Sequence, residues 1–440
     1  MLAGLALAGT LGCGGNEELG AGASCDFSLS RNEVSATMPT VGVVEWSLSG
    51  SAPSSAAIVY RLRGATSAIL NSGGEAPVNL SEPNHRTLLL GLKQASDYTF
   101  HVEARRNGRT CSSPEYSLPT TGSFPTTPAV TVTVAQAHAR EPGFIVTSSG
   151  TSLPSSAFIL DADGDVVWYA GGPENPTRAQ LDYEGRNMWM LELNLTNELG
   201  EMRALSMDGE RELRDVPGFE TAHHDFTVLP GGRVAALAWR TPGIDAESEL
   251  VVRSPDGTLS RPFAIGNALY RAEAFHANAI HYVPFDDGFT IADRNANAFV
   301  KVSATGALEW QLGGRCDGAP AGSKCSPQAW DVVHGHHLLE DGTFVLFNNT
   351  YADVSRVLEF RLNATPSSFT ATLVEDHAGA EKSQNLGDVQ RLPGGNTLVT
   401  YATAGKLVEL DANYETVQTF AVRVGYASFR PTLYGPPARP

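Results

Sequence analysis

The chain has 440 residues, which is long enough for two or three domains and a large buried core. Its 42% hydrophobic residues, 44 glycines and 26 prolines are typical of a globular protein with many short strands joined by turns. The formal net charge of −17 argues against binding to the phosphate backbone of nucleic acid, since no basic patch stands out. A net negative chain can still hold a local cationic pocket for an anionic substrate.

The N-terminal segment predicts export. Residues 1–12 are small and apolar, and the run is too short for a transmembrane helix, so it is interpreted as the core of a secretory signal. Residues 11–13 resemble the end of a bacterial lipobox, although Thr10 stands where leucine is usual and no Lys or Arg precedes the apolar run, which is compatible with a start further upstream. We expect residues 1–24 to be a signal and tether with Cys13 lipidated. The protein is then a periplasmic or cell-surface lipoprotein, and a cleaved, secreted protein is the alternative.

The other four cysteines support export. They fall into two natural pairs, Cys25 with Cys111 and Cys316 with Cys325, and disulfides between them would persist only in an oxidising compartment. Zinc is the competing interpretation for the second pair, but no nearby CxxC or histidine completes a tetrahedral set. We therefore predict two disulfides.

Residues 25–123 predict a small β-sandwich. Trp46 lies in an alternating run, and a Leu-Gly-Leu segment at residues 90–92 leads to Tyr98 at the start of another alternating strand. This pattern resembles a fibronectin type III module, with its buried tryptophan and corner tyrosine. The Pro- and Thr-rich residues 117–128 are the predicted linker.

From residue 129 to 437 the chain repeats itself through two alternating sets of hairpin turns. One set lies at residues 229–232, 285–288, 339–342 and 392–395, with a weaker member at 183–186. The other lies at residues 161–164, 206–209, 254–257, 303–306 and 411–414. Each unit of about 40 to 55 residues then holds four strands, which is typical of a β-propeller blade. Five full units are present, and a sixth forms if strands near 143–170 pair with 422–433, so we predict an all-β, six-bladed β-propeller over residues 129–437.

Three histidines occupy matched places in consecutive blades. His224 and His334 each stand seven residues before the aligned turn position, and His276 lies slightly further upstream in the blade between them. Since the innermost strands of a propeller converge at one end of its channel, we expect these three side chains to meet. Strand alternation would place His336 on the same face as His334, where it would support the site.

Two polar residues join the predicted cluster. Arg294 follows the inner strand of the blade that carries His276 and Asn278, and its rigid fork suits the paired oxygens of a sulfate or phosphate. The neighbours His223 and His337 are expected to face the blade interior. No pattern supports a role for the remaining histidines, which are interpreted as structural or surface residues: His85, His101, His138, His281 and His377.

The order of these motifs resembles the bacterial aryl sulfate sulfotransferase family over roughly residues 150 to 437. The motifs that carry the resemblance are His223-His224-Asp225 with Leu-Pro-Gly-Gly, His276-x-Asn278 followed by Ala292-Asp293-Arg294, His334 ahead of Asp341-Gly342, and Gly387-Asp388 before a second Leu-Pro-Gly-Gly. The short cysteine loop before His334 also fits that family. Gly-His-His follows His334 where an acidic residue is common, and Phe347-Asn348-Asn349 replaces the usual Phe-Asp-Asn.

The resemblance implies a function and a division of roles. It implies ping-pong transfer of a sulfuryl group from an aryl sulfate to a phenol through a sulfohistidine, with no cofactor, no bound metal and no nucleotide sulfate (PAPS) as donor. His334 would be the nucleophile, while Arg294, Asn278 and His276 would bind the sulfuryl oxygens. His224 would be the general acid and base, a role that His276 could exchange with it.

Two other classes of function stay open at this stage. One is a non-catalytic ligand-binding propeller on the cell surface. The other is a metal-dependent lyase or hydrolase with His224, His276 and His334 as ligands, which is ranked lower because no carboxylate stands at the same position.

Overall fold

A computed structural model describes most of the chain. The described residues are 25–150, 155–172, 175–194, 199–241, 247–268, 275–317, 319–320, 322–328, 330–350 and 353–437. The regular structure in them is β-strand, with short 3₁₀ turns at Pro83–His85, Ala137–Ala139, Pro230–Gly232, Ile265–Asn267 and Ala402–Ala404. The predicted all-β class is confirmed. Within the described ranges no helix has the length and apolarity needed to cross a membrane, and the predicted lipidation site Cys13 lies outside them.

Eight strands precede the repeats. They are β1 (Phe27–Val34), β2 (Gly42–Leu48), β3 (Ser55–Leu62), β4 (Gly73–Pro77), β5 (Thr87–Leu89), β6 (Tyr98–Arg106), β7 (Arg109–Ser112) and β8 (Tyr116–Leu118). One antiparallel sheet has the order β1-β2-β5, and the other has the order β4-β3-β6-β7 with β8 also paired to β6. The two sheets share a core that includes Trp46, Ile58 and Phe100, all buried. The Tyr98 hydroxyl accepts a hydrogen bond from the Lys93 N–H at 2.9 Å, which fixes the corner before β6.

Six further sheets follow, and their strand pairs are antiparallel except for Leu308–Gly313 with Cys325–Ser326, which are parallel. In chain order β9 (Thr131–Val134), which belongs to the last sheet, comes first. The strands of the first two sheets that follow it are β10 (Phe144–Ser148), β11 (Ser156–Asp161), β12 (Val166–Gly171), β13 (Asn175–Leu181), β14 (Asn187–Asn194), β15 (Leu199–Ser206) and β16 (Glu212–Leu213). The next two contain β17 (Ala222–Leu229), β18 (Arg233–Trp239), β19 (Ser248–Arg253), β20 (Leu259–Ala264), β21 (Ala277–Val283), β22 (Gly288–Asp293), β23 (Ala298–Val302), β24 (Leu308–Gly313) and β25 (Cys325–Ser326). The last strands are β26 (Val333–Leu338), β27 (Thr343–Asn348), β28 (Arg356–Ala364), β29 (Phe369–Ala378), β30 (Asp388–Arg391), β31 (Thr397–Tyr401), β32 (Lys406–Leu410), β33 (Thr416–Ala421) and β34 (Ala427–Arg430).

The sheets follow one another in a closed ring. Their orders are β34-β10-β11-β12, β13-β14-β15-β16, β17-β18-β19-β20, β21-β22-β23-β24-β25, β26-β27-β28-β29 and β30-β31-β32-β33-β9. The first strand of each sheet contacts the first strand of the next, and β30 contacts β34 to complete the circle. The ring is closed by pairing between the first and last strands of the repeat region. β10 pairs with β34 (Phe144 opposite Arg430), and β9 pairs with β33. The first of these pairings is the one that the sequence predicts.

Both predicted disulfides are confirmed. Cys25 is bonded to Cys111, which ties the start of the sandwich to β7, and Cys316, after β24, is bonded to Cys325, the first residue of β25.

The sandwich packs directly on the ring. Met38, Val41 and Leu90 of the sandwich share one buried cluster with Trp168 and Leu433 of the ring. The contact therefore has an apolar centre and does not depend on surface polar groups alone.

An ion cluster lies at the edge of this contact. The Lys93 ammonium, on a side chain that is 10% exposed, meets Asp161, Asp163 at 3.3 Å and Asp165 at 2.6 Å. Burial opposes the charge of Lys93, but Asp161 and Asp165 outweigh it and raise its pKa. Lys93 thus ties the turn between β11 and β12 to the sandwich.

We expect Lys93→Met to destabilise the contact by about 3 kcal/mol, because it takes the cation away from the fully buried Asp161 carboxylate. Arg140 remains, but its pair is with Asp163 at 3.2 Å. The change is measured by urea or thermal unfolding. Arg61→Met is the matched control, since it removes a pair with Glu115 from a side chain that is 72% exposed and should cost under about 1 kcal/mol. Equal effects of the two variants would contradict this account.

Candidate active site

The first strands of the ring are bulged at one end, and this end carries the predicted histidines. Register shifts fall between Pro176 and Arg178, between Ala222 and Phe226, between Ala277 and Ala279, and between Val333 and His336. A bulge inserts an extra residue and redirects side chains, and bulges are common beside active sites. At His224 the backbone has a φ of +57°, and Thr177 of the neighbouring strand donates a hydrogen bond to its carbonyl at 3.0 Å. The four bulges therefore turn side chains toward the axis of the ring.

His334 is held in one orientation by Asn349. The His334 Nδ1 and the Asn349 Oδ1 are 2.6 Å apart, and His334 is 3% exposed. The Asn349 amide nitrogen donates to the carbonyls of Ser383 and Leu386 at 2.8 and 2.7 Å, so its oxygen must be the group that faces His334. An amide oxygen only accepts, so the proton lies on Nδ1 and the lone pair on Nε2. Burial, with the positive charge of Arg294, lowers the pKa of His334 to about 3. The ring is therefore a neutral base at physiological pH.

His224 and His276 meet directly. Their Nε2 atoms are 2.9 Å apart, and the ring centroids are 4.5 Å apart. The other ring nitrogen of His224 lies 2.8 Å from Nδ1 of His223, which stacks on Trp239 with centroids 3.6 Å apart. Burial and the adjacent histidines lower the pKa of His224 well below its usual value. The structure thus brings His224, His276 and His334 into one cluster, and it adds His223 and Trp239.

Arg294 supplies the positive charge of this cluster. It lies close enough to His224 and His334 to lower the pKa of both, and its backbone N–H donates to the His276 carbonyl at 2.9 Å. Asn278 is fully buried, and one of its amide hydrogens is directed at the Val333 carbonyl at 2.7 Å. At most one amide hydrogen of Asn278 is then left for a ligand, whereas the guanidinium fork of Arg294 can bind two oxygens.

Below the histidines the axis of the ring is closed by a buried ion cluster. Arg178 pairs with Asp225 and with Asp388, the latter at 3.0 Å, and its guanidinium lies 4.3 Å from the centre of the Tyr426 ring. Burial raises the pKa of Asp225 to about 6 and that of Asp388 to about 7. The Tyr426 hydroxyl donates to the Asn278 carbonyl at 2.8 Å, which links the ion cluster to the histidine site.

A cavity of about 990 Å³, part of it open to solvent, lies at the opposite end of the same strands. Its walls include His281, Tyr282 and His337, which follow the bulges of β21 and β26 along the chain, and Arg430 of β34. Because Arg178 and Asp388 also line it, the ion cluster is the floor between this cavity and the histidine site. The candidate active site therefore lies outside this cavity, and it is identified by its side chains.

His336 is not where strand alternation predicts it. The bulge between Val333 and His336 breaks the alternation, so its Nε2 meets the Thr290 hydroxyl at 2.8 Å and its ring packs against Phe299 and Phe344. His336 therefore packs between sheets, and its contact with the cluster is to the backbone, where its Nδ1 lies 3.4 Å from the His334 carbonyl. His337 accepts a hydrogen bond from the Arg391 N–H at 3.1 Å and lines the cavity at the far end.

Sequence reasoning also missed five contributors to the site. Asn349 enters the sequence analysis only as the last residue of the Phe347-Asn348-Asn349 motif, and Trp239, Arg178, Asp388 and Tyr426 have no predicted role. The charged residues carried a usable signal, since Asp225 and Asp388 stand next to the aligned positions and both need a buried cation. No group of three or more His, Cys, Asp or Glu side chains in the described part of the chain is arranged to hold a metal ion.

Comparison with known proteins supports the resemblance over part of the chain. Residues 263–423 match the family model described as Arylsulfotransferase (ASST), a range that contains His276, Arg294 and His334 and begins after His224. No curated protein matches.

Several solved structures are similar to the chain. One is a protein of unknown function from Bacteroides caccae, 12% identical with a TM-score of 0.43, covering 66% of this chain and 99% of that one. Another is a putative 6-phosphogluconolactonase from Bacteroides uniformis, 12% identical with a TM-score of 0.41, covering 85% and 99%. A third is virginiamycin B lyase from Staphylococcus aureus, 12% identical with a TM-score of 0.37, covering 66% and 88%. At these TM-scores the similarities carry no argument about activity.

The hydrogen bond to Asn349 predicts the protonation state of His334. We expect nitrogen-15 NMR to find His334 with a protonated Nδ1 and a bare Nε2 at every pH from about 5 to 8, because a group with a pKa near 3 stays neutral in that range. A shift of the His334 signals between pH 5 and 8, or a proton on Nε2, would contradict the assignment.

Proposed function

We propose that this chain, of which residues 263–423 match the arylsulfotransferase family, is an exported aryl sulfate sulfotransferase. It moves a sulfuryl group from an aryl sulfate donor to a phenolic acceptor through a sulfohistidine at His334. The observation that carries the proposal is the 2.6 Å contact between His334 Nδ1 and Asn349 Oδ1, which assigns the proton to Nδ1 and leaves Nε2 as a nucleophile beside Arg294.

The proposal includes a finer description of the fold. The closed ring of six sheets is a six-bladed β-propeller over residues 129–437, supported by the contacts between successive first strands. The preceding sandwich, residues 25–123, is a fibronectin type III-like module, supported by the buried Trp46 and by the bond of Tyr98 to the backbone of Lys93.

In the first half-reaction the Nε2 lone pair of His334 attacks the sulfur of the donor, and the S–O bond to the phenol breaks. Sulfuryl transfer resembles phosphoryl transfer, in which charge spreads over the non-bridging oxygens of a loose transition state. Arg294 is placed to offset that charge with two parallel hydrogen bonds, and the free N–H of Asn278 offers a third. The electron pair of that bond goes to the phenolic oxygen, and the donor leaves the site as a phenolate.

The sulfated intermediate is activated by the same hydrogen bond that prepares the nucleophile. With sulfur on Nε2 and a proton on Nδ1 the imidazole ring carries a positive charge, which the Asn349 oxygen stabilises. A cationic ring is a good leaving group, so His334 can pass the sulfuryl group on to a second phenol. Asn349 therefore serves both half-reactions without moving.

Proton transfer falls to the pair formed by His224 and His276. The incoming phenol must lose its proton as the new O–S bond forms, and the pair places imidazole nitrogens beside the nucleophile, with the pKa of His224 held well below its usual value by burial. The two rings are joined through their Nε2 atoms, so we assign the exchange of this proton to the pair as a unit.

No nucleotide donor and no cofactor is part of this proposal. A sulfate ester of a phenol is already activated, because a phenolate leaves readily, and the sequence has no P-loop for a nucleotide sulfate. Export to the periplasm, the cell surface or the medium, with a tether at Cys13, is supported by the two disulfides.

His334→Ala should abolish the phenol-dependent release of 4-nitrophenol from 4-nitrophenyl sulfate, by roughly 10³-fold or more, because the nucleophile is lost. His377→Ala is the control, since His377 lies on β29 at the outer edge of its sheet and stacks on Tyr414. Equal activity of His334→Ala and wild type, or release of nitrophenol that does not respond to phenol, would overturn the proposal.

Arg294→Met should lower kcat/KM for 4-nitrophenyl sulfate by about 10² to 10³-fold, because a donor that offsets transition-state charge is removed. Arg294→Lys should recover part of that loss, since it restores the charge but not the fork. Arg315→Met, at a side chain that is 75% exposed, is the control for loss of a positive charge. A similar loss in Arg315→Met would contradict a local role for Arg294.

A further inference from the structure

The cavity at the far end of the ring is separate from the proposed active site. It measures about 990 Å³, with part of it open to solvent, and the ion cluster that contains Arg178 and Asp388 forms its floor. Pockets that bind small molecules usually hold about 300 to 1,000 Å³. The cavity is therefore large enough for a molecule with one or two rings, and the proposed transfer reaction makes no use of it.

Two tyrosines give this cavity an aromatic wall. Tyr183 and Tyr282 both line it, and each is only partly buried. Their rings form an edge-to-face pair, with centroids 6.2 Å apart and planes at 76°. The Tyr282 hydroxyl donates to Asp287 at 2.8 Å, which holds its ring in place. Aromatic rings pack favourably on one another in offset or edge-to-face contacts, so a flat ring is the kind of group that this wall accommodates.

A buried cation also lines the cavity. Arg430, on β34, is 3% exposed. Its guanidinium donates only to main-chain carbonyls, those of Leu181 at 3.1 Å, Asp182 at 3.4 Å and Gly435. An arginine has five N–H groups, and these carbonyls take at most three of them. The Nε hydrogen and one Nη2 hydrogen therefore have no acceptor in the described part of the chain.

The charge of Arg430 is poorly compensated where it lies. The carboxylate of Asp182 attracts it, but that carboxylate already accepts hydrogen bonds from the N–H groups of Arg186 and Asn187. Burial outweighs the attraction and lowers the pKa of Arg430 to about 10. Tyr183 also acts on this pKa, which places the guanidinium close to the aromatic wall. A buried charge without a counterion costs free energy, and an anion bound beside it would recover that cost.

The other charged groups around the cavity direct an anion to this wall. The ion cluster of the floor has two carboxylates, Asp225 and Asp388, for the one guanidinium of Arg178, and Glu340 is an exposed acid on the lining. An anionic group is therefore repelled from the floor and attracted to Arg430. The floor also holds His281, whose Nε2 has no hydrogen-bond partner in the described residues and lies 3.8 Å from Asp388 Oδ1. That gap suits a bridging water or a hydroxyl group.

We propose that the far-end cavity is a second ligand site, which binds a small aromatic carboxylate. The ring of the ligand packs on Tyr183 and Tyr282, and its two carboxylate oxygens accept from Nε and Nη2 of Arg430. A carboxylate matches that edge of the guanidinium, which presents two parallel N–H groups. Binding here involves no chemical step and does not depend on the proposed transfer reaction.

Titration with 4-fluorobenzoate, followed by fluorine-19 NMR, tests the site, and 4-fluorobenzyl alcohol is the neutral probe with the same ring. We expect saturable binding of the carboxylate and about tenfold weaker binding of the alcohol, because hydrogen bonds to a charged acceptor are the stronger ones. Arg430→Lys should weaken the binding of the carboxylate by about tenfold, since it keeps the charge but loses the fork. Tyr282→Leu should weaken it by about threefold to tenfold, because the aromatic contact is lost.

A second pair of variants tests the cavity itself. Ser428 lines it, so Ser428→Trp should fill it and abolish binding. Ser367→Trp, at an exposed position between β28 and β29, is the matched control and should bind like wild type. Thermal unfolding shows whether each variant is folded. If Ser428→Trp does not fold, Tyr282→Leu decides the test, since its ring is partly exposed.

Arg294→Met separates the cavity from the histidine site, because Arg294 also attracts anions. Binding of 4-fluorobenzoate that persists in Arg294→Met and falls in Arg430→Lys and Tyr282→Leu supports the proposal. Binding that is lost in Arg294→Met but kept in the cavity variants overturns it. Equal binding of the alcohol, or no saturable binding by the wild type, also overturns it. None of these results bears on the proposed transfer, which is measured separately with 4-nitrophenyl sulfate and His334→Ala.

Discussion

One fully buried cation holds the ring together at its axis. Arg178 on β13 pairs with Asp225 on β17 and with Asp388 on β30, and Tyr426, next to β34, lies over its guanidinium. The two remaining sheets meet the same carboxylates. The Ile280 N–H of β21 donates to Asp225 at 2.9 Å, and at Gly335 of β26 any Cβ would come within 2.0 Å of the Asp388 oxygen.

Residues on or next to the first strands of all six sheets thus contact one buried ion cluster, formed by Arg178, Asp225 and Asp388. Removing one partner from a buried ion cluster leaves an unpaired charge and costs about 3 to 5 kcal/mol, so this cluster fixes how the sheets are arranged around the axis. The histidine site depends on that arrangement, since its residues come from different sheets and their ring nitrogens must meet at hydrogen-bond distance. Tyr426 connects the ion cluster to the histidine site directly, because its hydroxyl donates a hydrogen bond to the Asn278 carbonyl. The proposed chemistry therefore depends on a buried ion cluster that contains none of the proposed catalytic residues.

The sequence predicts the positions of the histidines better than their directions. Aligning the hairpin turns is sufficient to place His224, His276 and His334 at one end of the ring, because the repeat fixes where each first strand begins. The same alignment fails for His336, since a β-bulge is a backbone irregularity that a pattern of alternating residues does not encode. Contacts between residues that are far apart along the chain are also not predicted, because a local pattern does not encode them. Asn349 and Trp239 are identified only when the folded sheets bring them to His334 and His223. The pairing of Arg178 with two aspartates from different sheets likewise has no signature in the local sequence.

The central claim is that His334 carries the sulfuryl group between donor and acceptor. The most direct measurement is to mix the protein with an aryl sulfate in the absence of a phenol, quench it under alkaline conditions and locate the added SO₃ by peptide mass spectrometry. The account predicts one SO₃ per chain on the peptide that contains His334, removed when a phenol is added before the quench. Label on His224 or His276, or release of the donor phenol with no labelled peptide, would contradict it.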